Sequence, residues 1–392
     1  MQESYKLVSR QPDGGPVPEF LTPERARQVR RFHESFPEYA PTPLAELPGA
    51  AQRLGLGRIW VKDESKRFGL NAFKVLGGSW AMGRVLAGEL GVESADFHLL
   101  TAPQVREKLG ERTFVTATDG NHGRGVAWSA SRFGQKSVVY MPAGSARERL
   151  ENIRAAGAEA SIIQGNYDDA VRLANRMAGE RGWILVQDTA WPGYEEIPRA
   201  IMEGYCTMGL EALEQLPEIP THIFLQAGVG SMAGAMAGLF TAAWGKDTPV
   251  ITIVEPNKAD CLFRTARADD GKCHIVTGVM DTIMAGLACG EPCSLAWDVL
   301  KNCARHFISC PDIAAAQGMR LLAREGIVSG ESGAAAFGCV AELMTDPDLA
   351  DLRGALGLDG NSRVLFFSTE GDTDRENYRA ILENRRFAKN GK

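Results

Sequence analysis

The chain has 392 residues, of which 44% are hydrophobic and 23% are charged, and its net charge is −6. This length allows about two domains with sizeable cores, and the composition is typical of a soluble globular protein. The acidic balance argues against a nucleic-acid-binding protein, and eight cysteines without a C-x-x-C pair argue against a metal site and favour reduced intracellular thiols.

The first residues of the chain predict little regular structure. Residues 1–16 are polar and contain proline, without the apolar segment of a signal peptide, so we expect a cytoplasmic protein. An irregular section continues through Pro41-Thr42-Pro43-Leu44 and leads to a short strand predicted at Arg58–Asp63.

Lys74 lies where a loop is predicted to end and a helix to begin. The stretch Val75–Leu90 that follows is rich in Ala, Leu, Met and Val. The positive end of the helix dipole and the loss of water both disfavour an ammonium at this position. They favour a neutral amine, which can attack a carbonyl and form a Schiff base. Most lysines at helix starts are solvated surface groups, so this interpretation depends on the rest of the chain.

Apolar runs after the Lys74 helix predict buried strands, and helical patterns separate them. The first set of strands is predicted at Thr113–Thr118, Ser137–Met141, Ala160–Gln164 and Trp183–Gln187, with helices at Gly125–Phe133, Ala146–Ala156 and Asp168–Glu180. A second set is predicted at Thr221–Gln226, Val250–Val254 and Arg363–Phe367. Alternation of strands and helices indicates parallel sheets covered by helices.

A hinge that holds Trp191-Pro192-Gly193 is predicted to divide the two sets of strands. The predicted fold class is therefore α/β, with two open, mostly parallel, helix-covered sheets. We expect a large domain formed by residues 1–78 and 192–392, with a small domain of residues 79–191 inserted in it. Folds of this kind bind ligands in the cleft between their sheets.

The segment Ile223–Gly245 contains no Asp, Glu, Lys or Arg and is as long as a membrane span. We interpret it instead as a short strand, a glycine loop and a helix of small residues, so no contact with a membrane is expected. The loop Ala227–Gly234 places glycines at a strand-to-helix turn, where backbone N–H groups can approach a phosphate.

The same loop fits a dinucleotide fingerprint, because Glu255 closes the next strand about 20 residues later. A nicotinamide-dependent enzyme is therefore an alternative from this segment alone. Short glycine motifs also occur as simple packing turns. The loop predicts a phosphate, and other segments must decide which compound carries it.

Two more strand ends decide the identity of the phosphate compound. Thr118–Gly123 follows one predicted parallel strand and Ser368–Asp374 follows another, at the edge where such folds hold their chemistry. A lysine, a phosphate-binding loop, a turn bearing Asn121 and a hydroxyl-bearing strand end surround a planar, phosphorylated aldehyde. This combination predicts pyridoxal 5′-phosphate as the cofactor.

These segments together resemble the fold-type II pyridoxal-phosphate enzymes, relatives of threonine dehydratase and the tryptophan synthase β subunit. Within that group they are similar to the diaminopropionate ammonia-lyase family over most of the chain. The segments that carry the resemblance are Asn71–Lys74, Ala117–Gly123, Val254–Cys261, Thr282–Glu291, Ser329–Ala334 and Ser368–Asp374.

The resemblance implies a role for each part of the cofactor site. Lys74 is the Schiff-base lysine, and Asn121 lies beside the phenolic oxygen of the ring. Ser368 or Thr369 faces the pyridine nitrogen, and a neutral partner there favours loss of a β-substituent. The phosphate is bound by the loop residues Gly228, Val229, Gly230, Ser231 and Met232.

Asp119 and Asp188 are the residues most informative about the substrate. In the dehydratases the position corresponding to Asp119 usually carries a small or hydroxyl residue. Two carboxylates suit a substrate with a second ammonium, because they can bind it, remove an α-proton or return a proton to the departing amine. Asp119 could instead stabilise its own turn, and Asp188 could cap a helix or lie on the surface. His122 is expected to be structural, and Glu331 to belong to a cofactor-side loop or a turn.

The resemblance implies a pyridoxal-phosphate-dependent carbon–nitrogen lyase acting on D- and L-2,3-diaminopropionate, with pyruvate and two ammonia as products. Lys74 and Asp119 are the candidate bases for the two isomers, and a homodimer is expected. Serine or threonine dehydration is the nearest alternative. A non-catalytic amino-acid-binding protein is disfavoured because it would not need Lys74.

Overall fold

The computed structural model describes residues 4–387, which form eleven β-strands in two sheets and sixteen α-helices. The strands are β1 (Lys6–Ser9), β2 (Leu44–Glu46), β3 (Arg58–Asp63), β4 (Thr113–Ala117), β5 (Lys136–Met141), β6 (Glu159–Ile162), β7 (Ile184–Leu185), β8 (His222–Gln226), β9 (Val250–Pro256), β10 (His306–Cys310) and β11 (Arg363–Ser368). The helices are α1 (Pro23–Glu34), α2 (Pro48–Leu54), α3 (Val75–Leu90), α4 (Phe97–Thr101), α5 (Pro103–Leu109), α6 (Asn121–Phe133), α7 (Arg147–Ala155), α8 (Tyr167–Arg181), α9 (Glu196–Gln215), α10 (Ser231–Trp244), α11 (Cys261–Ala268), α12 (Ser294–Cys303), α13 (Asp312–Arg324), α14 (Ala335–Thr345), α15 (Ala350–Leu356) and α16 (Arg375–Leu382).

The larger sheet has seven strands in the order β1-β10-β9-β8-β11-β3-β2. The two edge strands, β1 and β2, run antiparallel to their neighbours, and all other pairs are parallel. Every residue of β8 and β10 is buried, because helices cover both faces of a parallel sheet. The predicted α/β class with mostly parallel sheets is confirmed.

The smaller sheet has four parallel strands in the order β6-β5-β4-β7. All four were predicted, although β7 is only two residues long. Strands β1, β2 and β10 were not predicted from the sequence. Two of these are short edge strands, whose partners lie far away in the chain, and such pairing leaves little local signal.

The expectation of an irregular N-terminal section is wrong, because α1 occupies part of it. Thr22 caps this helix with its side-chain oxygen, which accepts a hydrogen bond from the backbone N–H of Arg25 at 3.3 Å. Pro23 takes the first helical position, where its missing N–H costs nothing. The Thr-Pro pair was the local signal for a helix start.

The segment Ile223–Gly245 folds as predicted into a strand, a glycine loop and a helix, here β8, the loop and α10. Within residues 4–387, the structure has no helix long and apolar enough to cross a membrane.

Helices α3 and α9 cross closely at the base of the site. A Cβ on Gly204 would lie 2.4 Å from the carbonyl oxygen of Leu76, and one on Gly77 would lie 2.6 Å from the ring of Tyr205. Only glycine permits this approach of two backbones. The crossing fixes the start of α3, and therefore Lys74, against the core.

Candidate active site

The carboxyl ends of strands from both sheets face one cleft. Asp119 follows β4, Asp188 follows β7, the glycine loop follows β8 and Thr369 follows β11. The predicted residues that line the cleft are Lys74, Asp119, Asn121, Asp188, Gly228, Val229, Gly230, Ser231, Met232 and Thr369. Ser368 does not line it among the described residues.

Lys74 and Asp188 form an ion pair inside the cleft. Nζ of Lys74 lies 2.7 Å from Oδ2 of Asp188, and the two side chains are 17% and 3% exposed. Asp188 is also oriented by Tyr167, whose hydroxyl donates to its Oδ1 at 3.1 Å. The burial of Asp188 excludes the surface position considered for it, and its carboxylate is directed at Lys74.

The prediction that Lys74 is a neutral amine is wrong in this structure. Burial lowers the pKa of Lys74, but the negative charge of Asp188, with Tyr205 and Asp119, raises that pKa well above its ordinary value. Burial likewise raises the pKa of Asp188, and the charge of Lys74 outweighs it and holds that pKa below its usual range. The sequence could not show this outcome, because the two residues are 114 positions apart.

Asp119 turns into the cleft from the loop after β4. The turn there is stabilised by Thr118, whose Oγ1 accepts a hydrogen bond from the N–H of Gly120 at 2.9 Å. The carboxylate of Asp119 instead lies 3.5 Å from Nη1 of Arg149. Asn121, at the start of α6, donates from Nδ2 to Glu370.

The glycine loop presents backbone to the cleft. A Cβ on Gly228 would lie 3.0 Å from Sγ of Cys289 and 3.2 Å from the carbonyl oxygen of Gly286. Gly230 has a φ of +99°, which side chains other than that of glycine rarely adopt. The first turn of α10 follows at once, and its N–H groups and helix dipole favour an anion.

Three further predicted residues lie around the cleft with defined partners. His122 is buried, and its Nε2 lies 2.8 Å from the carbonyl oxygen of Val186, as expected for a structural histidine. Glu331 accepts a hydrogen bond from Asn377, and burial raises the pKa of its carboxyl to about 7. Glu255 accepts from the N–H groups of Leu262 and Phe263 at 2.9 and 2.6 Å. Glu255 therefore caps α11. Its carboxylate is not available to a dinucleotide, whose binding site requires an acidic residue at this position.

Comparison with known proteins agrees with this geometry. The profile of the pyridoxal-phosphate dependent enzyme family matches residues 36–369. A diaminopropionate ammonia-lyase from Salmonella typhimurium is 53% identical over 373 residues, which is 92% of each chain. One from Escherichia coli is 46% identical over 377 residues, which is 94% of each chain. The chain belongs to the pyridoxal-phosphate-dependent enzymes.

The fold places the chain among the fold-type II members of this family. The crystal structure of the Escherichia coli diaminopropionate ammonia-lyase in complex with D-serine superposes with a TM-score of 0.91 and 43% sequence identity, over 98% of each chain. The level of identity to both curated relatives places the chain with the diaminopropionate ammonia-lyases within the pyridoxal-phosphate-dependent enzymes.

The cleft fits pyridoxal phosphate by its donor set. It offers one amine, on Lys74, and a helix N-terminus behind a glycine loop that has no room for side chains on the side of Cys289. Oε1 of Gln226 is buried and without a hydrogen-bond partner among residues 4–387. These groups match an aldehyde, a phosphate and the polar edge of a ring.

Ser332, Glu370, Tyr167 and Gln226 are among the cleft residues that were not singled out from the sequence. Ser332 and Glu370 lie in segments that carried the resemblance, so a signal for them existed. Tyr167 and Gln226 gave none, because a tyrosine at a helix start and a glutamine at a strand end are common in structural positions. Only the meeting of distant strand ends shows that they face the cofactor cleft.

Proposed function

We propose that the enzyme catalyses the α,β-elimination of both D- and L-2,3-diaminopropionate. The reaction consumes one water and releases pyruvate and two ammonia. The observation that carries this proposal is the presence of the amine of Lys74 and the carboxylate of Asp119 in one cleft, two groups that can exchange protons with a bound substrate. Identity of 53% to a diaminopropionate ammonia-lyase over 92% of each chain supports the same substrate.

We propose that the cofactor is held by the groups that the cleft brings together. Lys74 would bind the aldehyde, the loop Gly228–Met232 would bind the phosphate, and Asn121 would contact the phenolic oxygen. When bound, pyridoxal phosphate supplies an aldehyde for the substrate amine and a ring that withdraws electron density from Cα.

Of the two hydroxyls at the carboxyl end of β11, the geometry favours Thr369 as the partner of the pyridine nitrogen. Thr369 lines the cleft, and its Oγ1 accepts a hydrogen bond from Nε2 of Gln226 at 3.0 Å, so its own proton is free to be donated. Ser368 is turned away, with its Oγ 2.8 Å from that of Ser329. A neutral hydroxyl at this place keeps the ring a moderate electron acceptor and favours elimination.

The chain's own residues then move the protons. Lys74, in its deprotonated form, accepts the α-proton of one isomer, and Asp119 accepts that of the other isomer from the opposite face. A carboxyl group that has taken up a proton, on Asp119 or Asp188, can return it to the departing β-amine. The ion pair between Lys74 and Asp188 supports the role of Lys74 in proton transfer, because it holds the amine at one place in the cleft.

Serine or threonine dehydration remains the alternative reaction, since it differs only in the leaving group. Asp119 disfavours it, because a carboxylate beside the reacting carbons suits an ammonium better than a hydroxyl. Structures of threonine deaminases resemble this fold at 19 to 20% identity, which supports the fold alone.

We also propose that the protein is a cytoplasmic homodimer. All eight cysteines are free thiols in the structure, which suits a reducing compartment. Light scattering coupled to size exclusion should give twice the mass of 42.4 kDa, and fractionation of cells should place the protein with cytoplasmic markers. A monomer at micromolar concentration, or a membrane or secreted fraction, would contradict these two proposals.

The experiment that tests the proposed reaction is Asp119→Asn, which keeps the size of the side chain and removes its charge. We expect the isomer that depends on Asp119, which we assign as D, to lose turnover by the roughly hundred- to ten-thousandfold typical of a missing general base. The other isomer, which uses Lys74, should lose less. Pyruvate release is measured with D- and L-diaminopropionate, serine and threonine.

Two other outcomes are informative. A rise in KM for both isomers together would show that Asp119 mainly binds the β-ammonium. A wild-type enzyme that prefers threonine, together with an Asp119→Asn variant that behaves like it, would show that the cofactor is right and the reaction is wrong.

A further inference from the structure

Arg149 lies next to the cleft, on the helix α7 that follows strand β5 of the smaller sheet. Its side chain is only 6% exposed. Its Nε is buried and has no hydrogen-bond partner among residues 4–387. A buried guanidinium is costly unless its charge is compensated, so the groups around it explain its position.

The guanidinium of Arg149 reaches groups that come from both sheets. Nη1 lies 3.5 Å from Oδ2 of Asp119, which follows the smaller sheet. Nη2 lies 3.4 Å from Oγ1 of Thr373 and 3.8 Å from Oε2 of Glu331, which belong to loops of the larger part. Arg149 therefore links the carboxylate of Asp119 to loops of the larger part of the molecule.

The stem of Arg149 also supports the turn that carries Asp119. A Cβ on Gly120, the next residue, would lie 2.9 Å from Cδ of Arg149 and 3.4 Å from its Cβ and Cγ. The aliphatic part of the side chain thus packs on the backbone of this turn. The position of Asp119 is fixed by packing on one side and by charge on the other.

Arg149 lies among several acids. Burial lowers the pKa of Arg149, but the carboxylates of Glu370, Asp119, Glu331 and Asp374 raise it above its ordinary value. Its charge is therefore retained at every pH at which the enzyme works. A carboxylate that is only 14% exposed, as Asp119 is, is stabilised by such a fixed positive neighbour.

We propose that Arg149 is a positioning residue for the reaction, which holds the carboxylate of Asp119 on the face of the substrate opposite to Lys74. This inference rests on the proposed function, in which Asp119 is the base for one isomer only. Arg149 should then matter for that isomer and not for the one served by Lys74. A residue with a purely structural role would affect both isomers equally.

The test compares three variants as holoenzymes. Arg149→Met keeps the apolar stem and removes the charge, and Arg149→Lys keeps the charge. Arg147→Met removes an exposed charge from the same helix and is the matched control. Steady-state kinetics with each isomer are combined with the melting temperature of the apoprotein and the absorbance of the bound cofactor.

For Arg149→Met we expect kcat for D-diaminopropionate to fall by about ten- to hundredfold, as for a base that is misplaced by about 1 Å. The kcat for the L-isomer and the KM for both isomers should change by less than about threefold on the same basis. Arg149→Lys should recover part of the lost activity on D-diaminopropionate. Guanidinium ion added to the Arg149→Met variant should also recover part of it. Arg147→Met should match the wild type.

Several results would overturn the proposal. Equal losses of kcat for both isomers, with a lower melting temperature or weaker cofactor absorbance, would assign Arg149 a structural role. A rise in KM for both isomers with unchanged kcat would mean that it binds the substrate carboxylate. If the wild type does not act on either isomer, the proposed function itself fails; if it acts on both and the losses are equal, only the inference about Arg149 fails.

Discussion

Two lysines near each other in the chain, the buried Lys62 and the partly buried Lys74, show what separates a structural amine from a reactive one. Lys62 on β3 is fully buried, and its Nζ donates to the carbonyl of Thr42, to Glu211 and to Gln215 at 2.6, 2.7 and 2.8 Å. These three bonds use every proton of the ammonium. Lys74 has one carboxylate partner, Asp188, and the side chain of Lys74 is 17% exposed in the cleft.

The pKa values of the two lysines shift in opposite directions. Burial lowers the pKa of Lys62, and Glu211 compensates only in part because its carboxylate is shared with Arg67, whose Nη2 lies 2.7 Å away. The pKa of Lys74 is also lowered by burial, but Asp188 raises it well above the ordinary value. His122 also lies near Asp188, with its Nδ1 3.9 Å from Oδ2 of the carboxylate. Burial lowers the pKa of this histidine.

Burial alone therefore does not make a lysine reactive. Lys62 belongs to a closed network in which every donor is satisfied, and such networks hold a structure together. Lys74 keeps donors for a ligand and is held by a single carboxylate, that of Asp188. The comparison yields predictions for three variants, given from the largest to the smallest expected effect on activity.

Lys74→Ala should abolish the covalent link to the cofactor and lower turnover by about 10⁴-fold or more, the upper end for a lost acid–base group. The protein should still fold, because alanine is well tolerated at a helix start. Borohydride reduction followed by mass spectrometry of peptides identifies the linked lysine. Linkage at another lysine in the variant, Lys62 included, would refute the assignment of Lys74.

Asp188→Asn removes the charge that holds Lys74 and should reduce kcat for both isomers by about ten- to hundredfold, because the amine loses its fixed position. It keeps the volume of the side chain, so packing in the cleft is preserved. Activity equal to that of the wild type would mean that the ion pair matters only in the apoprotein.

The same variant should change how the stability of the apoprotein depends on pH. The depressed pKa of Asp188 contributes stability above its ordinary value of 3.8, and that contribution is lost as pH falls through the folded-state pKa. The raised pKa of Lys74 contributes stability below its ordinary value of 10.5, and that is lost as pH rises through the folded-state pKa.

Wild-type apoprotein should therefore melt at a higher temperature than Asp188→Asn between those two pH values. The difference in melting temperature should shrink below the ordinary pKa of Asp188 and above the ordinary pKa of Lys74. Melting curves of both apoproteins across the pH range measure it directly. A difference that is independent of pH would show that the charges of the pair do not contribute.

Lys62→Met should leave turnover and cofactor linkage per folded molecule unchanged, since Lys62 does not line the cleft. It should destabilise the protein by about 3–5 kcal/mol, the cost of removing one partner from a buried ion pair. Denaturant unfolding gives the free energy. A loss of activity in the folded variant would show that the buried network acts on the cleft and that the contrast between the two lysines is false.

Parts of the fold and the site could be predicted because their signals are local. The strands β4, β8 and β11 are apolar runs that end in turn residues, and the periodicity of the helices between them is regular. The glycine loop before α10 and the lysine before α3 are patterns of adjacent residues. The edge strands β1 and β2 were missed because strand pairing depends on partners far along the chain. The domain boundaries at residues 78/79 and 191/192 stay a prediction.

The sequence by itself determined the α/β class, the lysine, the phosphate loop and the family, since each is written in short segments that keep their chemistry wherever they lie. Only the tertiary structure decided that Asp188 holds Lys74 charged, that Thr369 and not Ser368 faces the cleft, and that Arg149 reaches Asp119. The physical reason is that charge interactions and hydrogen bonds depend on distances of a few ångströms. Those distances are set when the ends of strands from two sheets meet.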